Sequence, residues 1–209
     1  MRVAARGFAF VLVLARAAGA AAAADPAPAL AVGAPAAPLE GVTLDGRPFA
    51  ASWSNADATV VMFFATYCRP CHRALRELDA IGRTTGPRLR FILVDAGEDP
   101  AAVRKFLTDN PVPGDGAVVI DTSGSDRRRW GCELEPTLFL VDRAGRVRYI
   151  NHGWGDGSEA KYLRRVRNVL AAGSLGSTLC CKTVLASYGE RAHRHDQQEH
   201  DLPLVRQGR

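Results

Sequence analysis

Val60-Val61-Met62-Phe63-Phe64-Ala65-Thr66-Tyr67-Cys68-Arg69-Pro70-Cys71 is the stretch whose reading decides the fold of this chain. Its first five residues are apolar without alternation, the pattern of a strand buried on both faces. From Pro70 the period changes: Ala74, Leu75, Leu78 and Ile81 recur at three and four, which predicts a helix. Two thiols therefore stand where a strand hands over to a helix. The free N–H groups and dipole of a helix N-terminus favour negative charge, and thiolate is the form of Cys that attacks disulfides. Pro70 lacks an N–H, which suits a first helical turn. Arg69 adds a cation that favours the thiolate and, by stabilising the reduced form, raises the reduction potential. The segment reads as a pair, Cys68 and Cys71, that closes and reopens a small disulfide, with Cys68 the exposed attacking group.

Outward from this stretch the elements follow in order. Leu39 to Phe49 reads as a short hairpin turning at Asp45-Gly46. Pro87 to Arg90 breaks the first helix, and Leu89 to Val94 is a second buried strand. Pro100 opens a helix with Val103, Phe106 and Leu107 on one side, and Asn110-Pro111 ends it. Ala117 to Ile120 is a third strand, Ser125 to Trp130 a helical turn, and Thr137 to Val141 a fourth strand. Asp142-Arg143-Ala144-Gly145 is a turn signature, with Val147 to Ile150 as the hairpin partner. Ser158 to Leu170 is amphipathic, with Tyr162, Leu163, Val166, Val169 and Leu170 inward and Arg164, Arg165 and Arg167 outward. The order βαβαβαββα predicts an α/β sandwich with a mixed central β-sheet.

The ends differ in character. Residues 1–24 read as a secretory signal peptide: Arg2 and Arg6 precede an apolar run, and Ala22-Ala23-Ala24 offers a cleavage site. The alternative is an uncleaved N-terminal membrane anchor. Residues 25–38 are rich in Ala and Pro and read as a linker. The folded domain is expected over 39–172, followed by a polar tail at 173–209 that is expected to be poorly ordered. Either N-terminal reading sends the domain to an oxidising compartment, periplasmic or extracellular, where cysteine pairs can cycle.

Composition excludes less than it permits. The 209 residues are 47% hydrophobic and 23% charged, enough for one domain with appendages. Net charge is +5, yet no basic stretch is interleaved with aromatics, so nucleic acid is not an expected partner. Arg127-Arg128-Arg129 reads as a solvated helix face.

Phe64-Ala65-Thr66-Tyr67-Cys68-Arg69-Pro70-Cys71 resembles the active-site segment of thioredoxin-fold proteins, with Tyr67 where Trp is usual. Glu135-Pro136-Thr137-Leu138-Phe139 through Gly145 resembles the family's cis-proline segment. The signal, the linker and the extra helix-strand segment between the two motifs resemble the TlpA/ResA-like group of the bacterial envelope. The resemblance implies a thioredoxin-like three-layer sandwich with a central mixed β-sheet and an inserted helix-strand segment. It implies thiol-disulfide exchange with protein substrates, with Cys68 attacking and Cys71 resolving the mixed disulfide. Apocytochrome or other metalloprotein thiols are one substrate class it suggests, and a membrane protein the electron donor. It implies that Pro136 is cis, presents backbone at residue 135 to the substrate and keeps metal off the thiols. No dissociable cofactor and no metal are implied. The chain departs from the pattern where acids are usual: Met62 and Ala74 replace the expected proton acceptors. Glu77 is expected to be exposed, which leaves Glu135, opposing Arg69 beside Cys68, as the candidate.

Other readings of the same residues stay open at this level. Cys68-Arg69-Pro70-Cys71-His72 is also the attachment sequence of c-type haem, with His72 as proximal ligand. A non-catalytic electron carrier or metal-binding module would use the same residues. A peroxidase site fails because Thr66 is one position too close to Cys68. His152 reads as a surface residue at a strand end, and Cys132 as a small buried hydrophobe. Cys180-Cys181 is too closely spaced for a zinc pair.

Overall fold

The computed structural model describes residues 30–173, and the apolar run of the decisive stretch lies at its centre. In chain order the elements are β1 (Glu40–Thr43), β2 (Pro48–Ala50), β3 (Ala58–Phe64), α1 (Arg69–Thr85), β4 (Leu89–Asp95), α2 (Pro100–Asp109), β5 (Ala117–Ile120), α3 (Ser125–Trp130), β6 (Thr137–Asp142) and β7 (Val147–His152). A last helix, α4, spans 158–173. The strands form one sheet in the order β2-β1-β5-β4-β3-β6-β7. β3, β4 and β5 run parallel, whereas β6 is antiparallel to β3, and β1 to β5. The inserted α2-β5 unit wedges β5 between β4 and the hairpin. The result is a thioredoxin-like α/β sandwich with a mixed sheet.

Every residue of β3 is buried because the sheet is covered on both faces. Val60, Met62 and Phe64 pack against Leu75 and Leu78 of α1, Val103 and Phe106 of α2, and Tyr162 and Val166 of α4. Val61 and Phe63 point to the other face, where Trp130 of α3, Phe139 and Val147 close a second core. The period-2 alternation of a strand thus splits one apolar run between two layers. α1 stops at Gly86, whose φ of 62° lets its N–H reach Gly82 O.

The described part of the Ala- and Pro-rich segment does not hang free of the domain. Gly33 N–H donates to Val147 O at 2.7 Å, Val147 N–H to Ala34 O at 2.9 Å, and Ala36 N–H to Gly145 O at 2.7 Å. Leu30, Ala36 and Ala37 pack on the second core. The packed unit therefore begins ahead of Leu39. Its backbone pairs with the free edge of β7, a contact no local pattern announces. The residues read as signal peptide and as tail, with Cys180 and Cys181, lie outside the described residues.

Candidate active site

β3 ends at Phe64, and four residues later Cys68 is the N-cap of α1, with Arg69 and Pro70 opening the helix. Cys68 Sγ accepts the N–H of Cys71 at 3.2 Å, so the sulfur occupies the place a capping oxygen takes elsewhere. Cys68 N–H donates to Ala65 O at 3.2 Å, and Cys71 N–H also reaches Cys68 O at 2.9 Å. The two sulfurs are bonded across a Cα–Cα distance of 5.3 Å. The helix start thus holds a closed disulfide in contact with a helical N–H group.

Cys68 is not the open group that the sequence suggests. It keeps 8% of its surface and Cys71 none. The disulfide covers one side of Cys68, and the core of β3 and α1 the other. Exposure belongs to its neighbours: Arg69 and Pro70 are exposed, and Tyr67 is 73% exposed. Within the pair the order of access is nonetheless the expected one.

A second segment arrives at the same end of the sheet. Phe63 pairs with Thr137, which places Pro136 beside the end of β3 from which Cys68 departs. The Glu135–Pro136 bond is cis, Pro136 O accepts Gly153 N–H at 2.7 Å, and Thr137 Oγ1 donates to Leu134 O at 2.7 Å. His152 lies across from Thr137, with Nδ1 at 3.4 Å from its hydroxyl. The sequence reading had no reason to put His152 next to this segment.

Two expectations about acids are corrected. Glu135 does not oppose Arg69; it forms an ion pair with Arg127, both largely buried. Arg127 accordingly leaves the solvated face and turns inward, because α3 packs directly over the segment before Pro136. Glu77 is not exposed either. It accepts Trp154 Nε1–H and Arg73 Nε–H, each at 2.7 Å, and Arg73 continues to Asp156. Burial works to raise the Glu77 carboxyl, but the bonds from Arg73 and Trp154 outweigh it and hold it below its ordinary range. His72 packs edge-on against Phe106 at 4.7 Å between ring centres. Cys132 sits in the second core, on the sheet face opposite Cys71, and burial pushes its thiol up to about 12. Among the described residues no group of three or more His, Cys, Asp and Glu is placed to hold a metal ion.

One acidic pair escaped the sequence reading. Asp95 closes β4 opposite Phe64 and is fully buried. Glu98, three residues on, accepts both the N–H and the hydroxyl of Thr66 at 2.6 Å. An acid ending the apolar run Phe91-Ile92-Leu93-Val94 was the available signal; it reads equally well as the first residue of a turn.

Strand, cysteine pair at a helix start and cis-proline segment together define a thioredoxin-fold thiol-disulfide oxidoreductase of the TlpA/ResA-like kind. Comparison with known proteins agrees. A sequence model of the Redoxin family matches residues 22–164, and the chain belongs to that family. It is 29% identical over 127 residues to the thiol-disulfide oxidoreductase ResA of Geobacillus thermodenitrificans, covering 59% of this chain and 71% of that one. It is 31% identical over 97 residues to a thiol:disulfide interchange protein DsbE homolog of Paracoccus denitrificans, covering 45% of this chain but only 50% of the relative. The fold matches the crystal structure of a putative DsbE from Chlorobium tepidum with a TM-score of 0.60 at 22% identity, covering 68% of this chain and 99% of that one. The exchange reading, with protein thiols as substrates, is favoured over the haem or metal-binding alternative.

Proposed function

We propose that Cys68 and Cys71 are the catalytic pair and act on protein substrates outside the cytoplasm. The observation that supports this most is the Cys68–Cys71 bond seated on the first turn of α1, with Cys68 Sγ accepting a helical N–H. After reduction, the Cys68 thiolate attacks one sulfur of a substrate disulfide. A Cys68–substrate bond forms and the first substrate thiolate leaves with the electron pair. Cys71 passes its proton to the first substrate thiolate, attacks Cys68 Sγ and expels the second substrate thiolate, so the substrate gains two electrons and one proton and the Cys68–Cys71 bond is restored. Tyr67, Arg69 and Pro70 form the rim over which the substrate approaches. Glu135, steadied by Arg127, holds the backbone ahead of Pro136 where substrate backbone pairs, and Pro136 keeps metal off the thiols. Residues 1–24 send the chain to the periplasm or beyond, and a membrane protein supplies electrons. Apocytochrome or other metalloprotein thiols are a fitting substrate class.

The test is disulfide exchange with a protein substrate. Cys68→Ser abolishes exchange, whereas Cys71→Ser accumulates the mixed disulfide, visible by non-reducing electrophoresis. Full exchange by Cys68→Ser defeats the proposal. The direction of flow follows from the potential of the pair with Cys132, Cys180 and Cys181 replaced: near about −270 mV it reduces substrates, near about −120 mV it oxidises them.

A further inference from the structure

Neither Glu135 nor Glu77 is free to serve the sulfurs, since each is bound to an arginine. The remaining buried acid near the site is Asp95. Phe91 and Leu93 of β4 lie on the sheet face covered by α1, and Asp95, two residues beyond Leu93, continues that face. Phe64 is its partner across the strands, and Ala96 N–H is bonded to Phe64 O at 3.2 Å. Cys68 and Cys71 belong to the same core. Asp95 Oδ1 accepts the N–H of Gly97 at 3.0 Å and of Glu98 at 2.7 Å, which folds the turn back on itself. Gly97 is needed there: its φ is +88°, and a Cβ would come within 2.9 Å of Asp121 O. The turn aims Glu98 at Thr66, and Thr66 is two residues before Cys68. Asp95 Oδ2 is buried and meets no hydrogen-bond donor among the described residues, and its side-chain neighbour is the carboxylate of Glu98. A carboxylate oxygen in that condition is costly, and adding a proton relieves it.

We propose that Asp95 and Glu98 form a positioning pair for the exchange reaction: Glu98 holds the Thr66 loop that carries Cys68, and the charge on Asp95 sets how readily the Cys68–Cys71 pair ionises. The inference rests on the exchange reading given above. Burial, then the Glu98 carboxylate, first as hydrogen-bond partner of the protonated form and then as a neighbouring charge, push Asp95 up to about 6, inside the range where an envelope protein works. The other ionisable groups on the surrounding elements are Arg69 and His72 of α1, Tyr67 in the loop, Asp99, Arg104 and Lys105 of α2, and Asp121 after β5. Asp99 is occupied in capping α2, Arg104 reaches Leu44 O, and Asp121 accepts Arg127 N–H. Above its midpoint Asp95 is negative and disfavours the Cys68 thiolate; below it, Asp95 is neutral and the restraint is released.

Linkage makes this testable without any substitution. The carboxyl of Asp95 is titrated by carbon-13 NMR in the full chain, once with the Cys68–Cys71 bond closed and once reduced. A midpoint higher in the reduced protein by about half a pH unit or more is the expected result, because a thiolate nearby holds the proton on Asp95. Identical midpoints overturn the proposal. The second measurement is the alkylation rate of Cys68 against pH. In Asp95→Asn the thiolate midpoint falls by about half a unit or more and the inflection near pH 6 vanishes. A curve superimposed on that of the parent overturns it too. If Cys68→Ser leaves exchange intact, the exchange reading fails; if exchange depends on Cys68 but these titrations do not move, only the role of Asp95 and Glu98 is lost.

Discussion

At the scale of single residues, burial decides what the ionisable groups can do. Cys132 and Cys68 are both 8% exposed, yet only Cys68 meets a helix N-terminus. Cys132 faces Trp130, Phe139 and Phe63, with its thiol pushed up to about 12. Mapping of alkylated sites by mass spectrometry should therefore leave Cys132 unlabelled in the folded protein, and Cys132→Ala should keep exchange within about twofold. Asp95 makes the opposite kind of prediction. Its carboxyl sits at about 6 in the folded chain against an ordinary 3.8, so the native state binds the proton more tightly than the unfolded one. That stabilisation is complete below about pH 4 and disappears as the pH climbs through about 6. Asp126, raised to about 6 chiefly by burial, behaves the same way. Asp95→Asn keeps an oxygen for the Gly97 and Glu98 N–H groups. It should unfold about 1–3 kcal/mol later than the parent in urea at pH 7 and show no gain at pH 4. A residue that lowers stability at neutral pH, and whose carboxylate folds the turn that carries Glu98 to Thr66, is the pattern expected of a group kept for function.

At the scale of elements, local pattern and packing agree over most of the chain. The hairpin turned at Asp45-Gly46, as Thr43 and Arg47 close it at 2.8 Å. Asp99 caps α2 through Ala101 and Ala102, and Asn110 ends it, which the dipeptide Asn110-Pro111 foretold. These signals are legible because each rests on neighbours in sequence: a proline, a cap, a period. The turn between β6 and β7 shows where a local signal acquires a tertiary reason. Gly145 holds φ at +75°, and a Cβ there would lie 2.8 Å from Trp53 Cδ1. Gly145→Ala should cost about 1–3 kcal/mol by urea unfolding, from backbone strain plus displacement of the indole. A loss below about 0.5 kcal/mol would mean the turn relaxes away from Trp53. The network Arg73–Glu77–Trp154 is likewise an affair between elements, for it ties α1 to the loop after β7.

For the molecule as a whole, the sheet order brings chemistry to one end. β3 and β4 finish side by side, α1 starts there, and β6 runs back past them, so Thr66 and Cys68, Asp95, and Pro136 gather from three parts of the chain. The segment 30–38 completes the opposite layer along β7. A chain beginning at Leu39 loses three backbone hydrogen bonds and the packing of Leu30, Ala36 and Ala37, and it should melt at least about 5 °C lower in calorimetry. An unchanged melting temperature would show that this contact adds nothing. By itself the sequence determined the order of the elements, the place of the cysteine pair at a helix start and the depth of β3, because periodicity, caps and proline act within a few residues. Only the tertiary structure decided that Cys68 is sheltered, that Glu135 answers to Arg127, and that Asp95 and Glu98 stand behind Thr66. Those facts depend on which side chains the folded chain brings together, across 8 positions for Arg127 and Glu135 and 32 for Thr66 and Glu98, and on how much water each meeting removes, neither of which a one-dimensional pattern records.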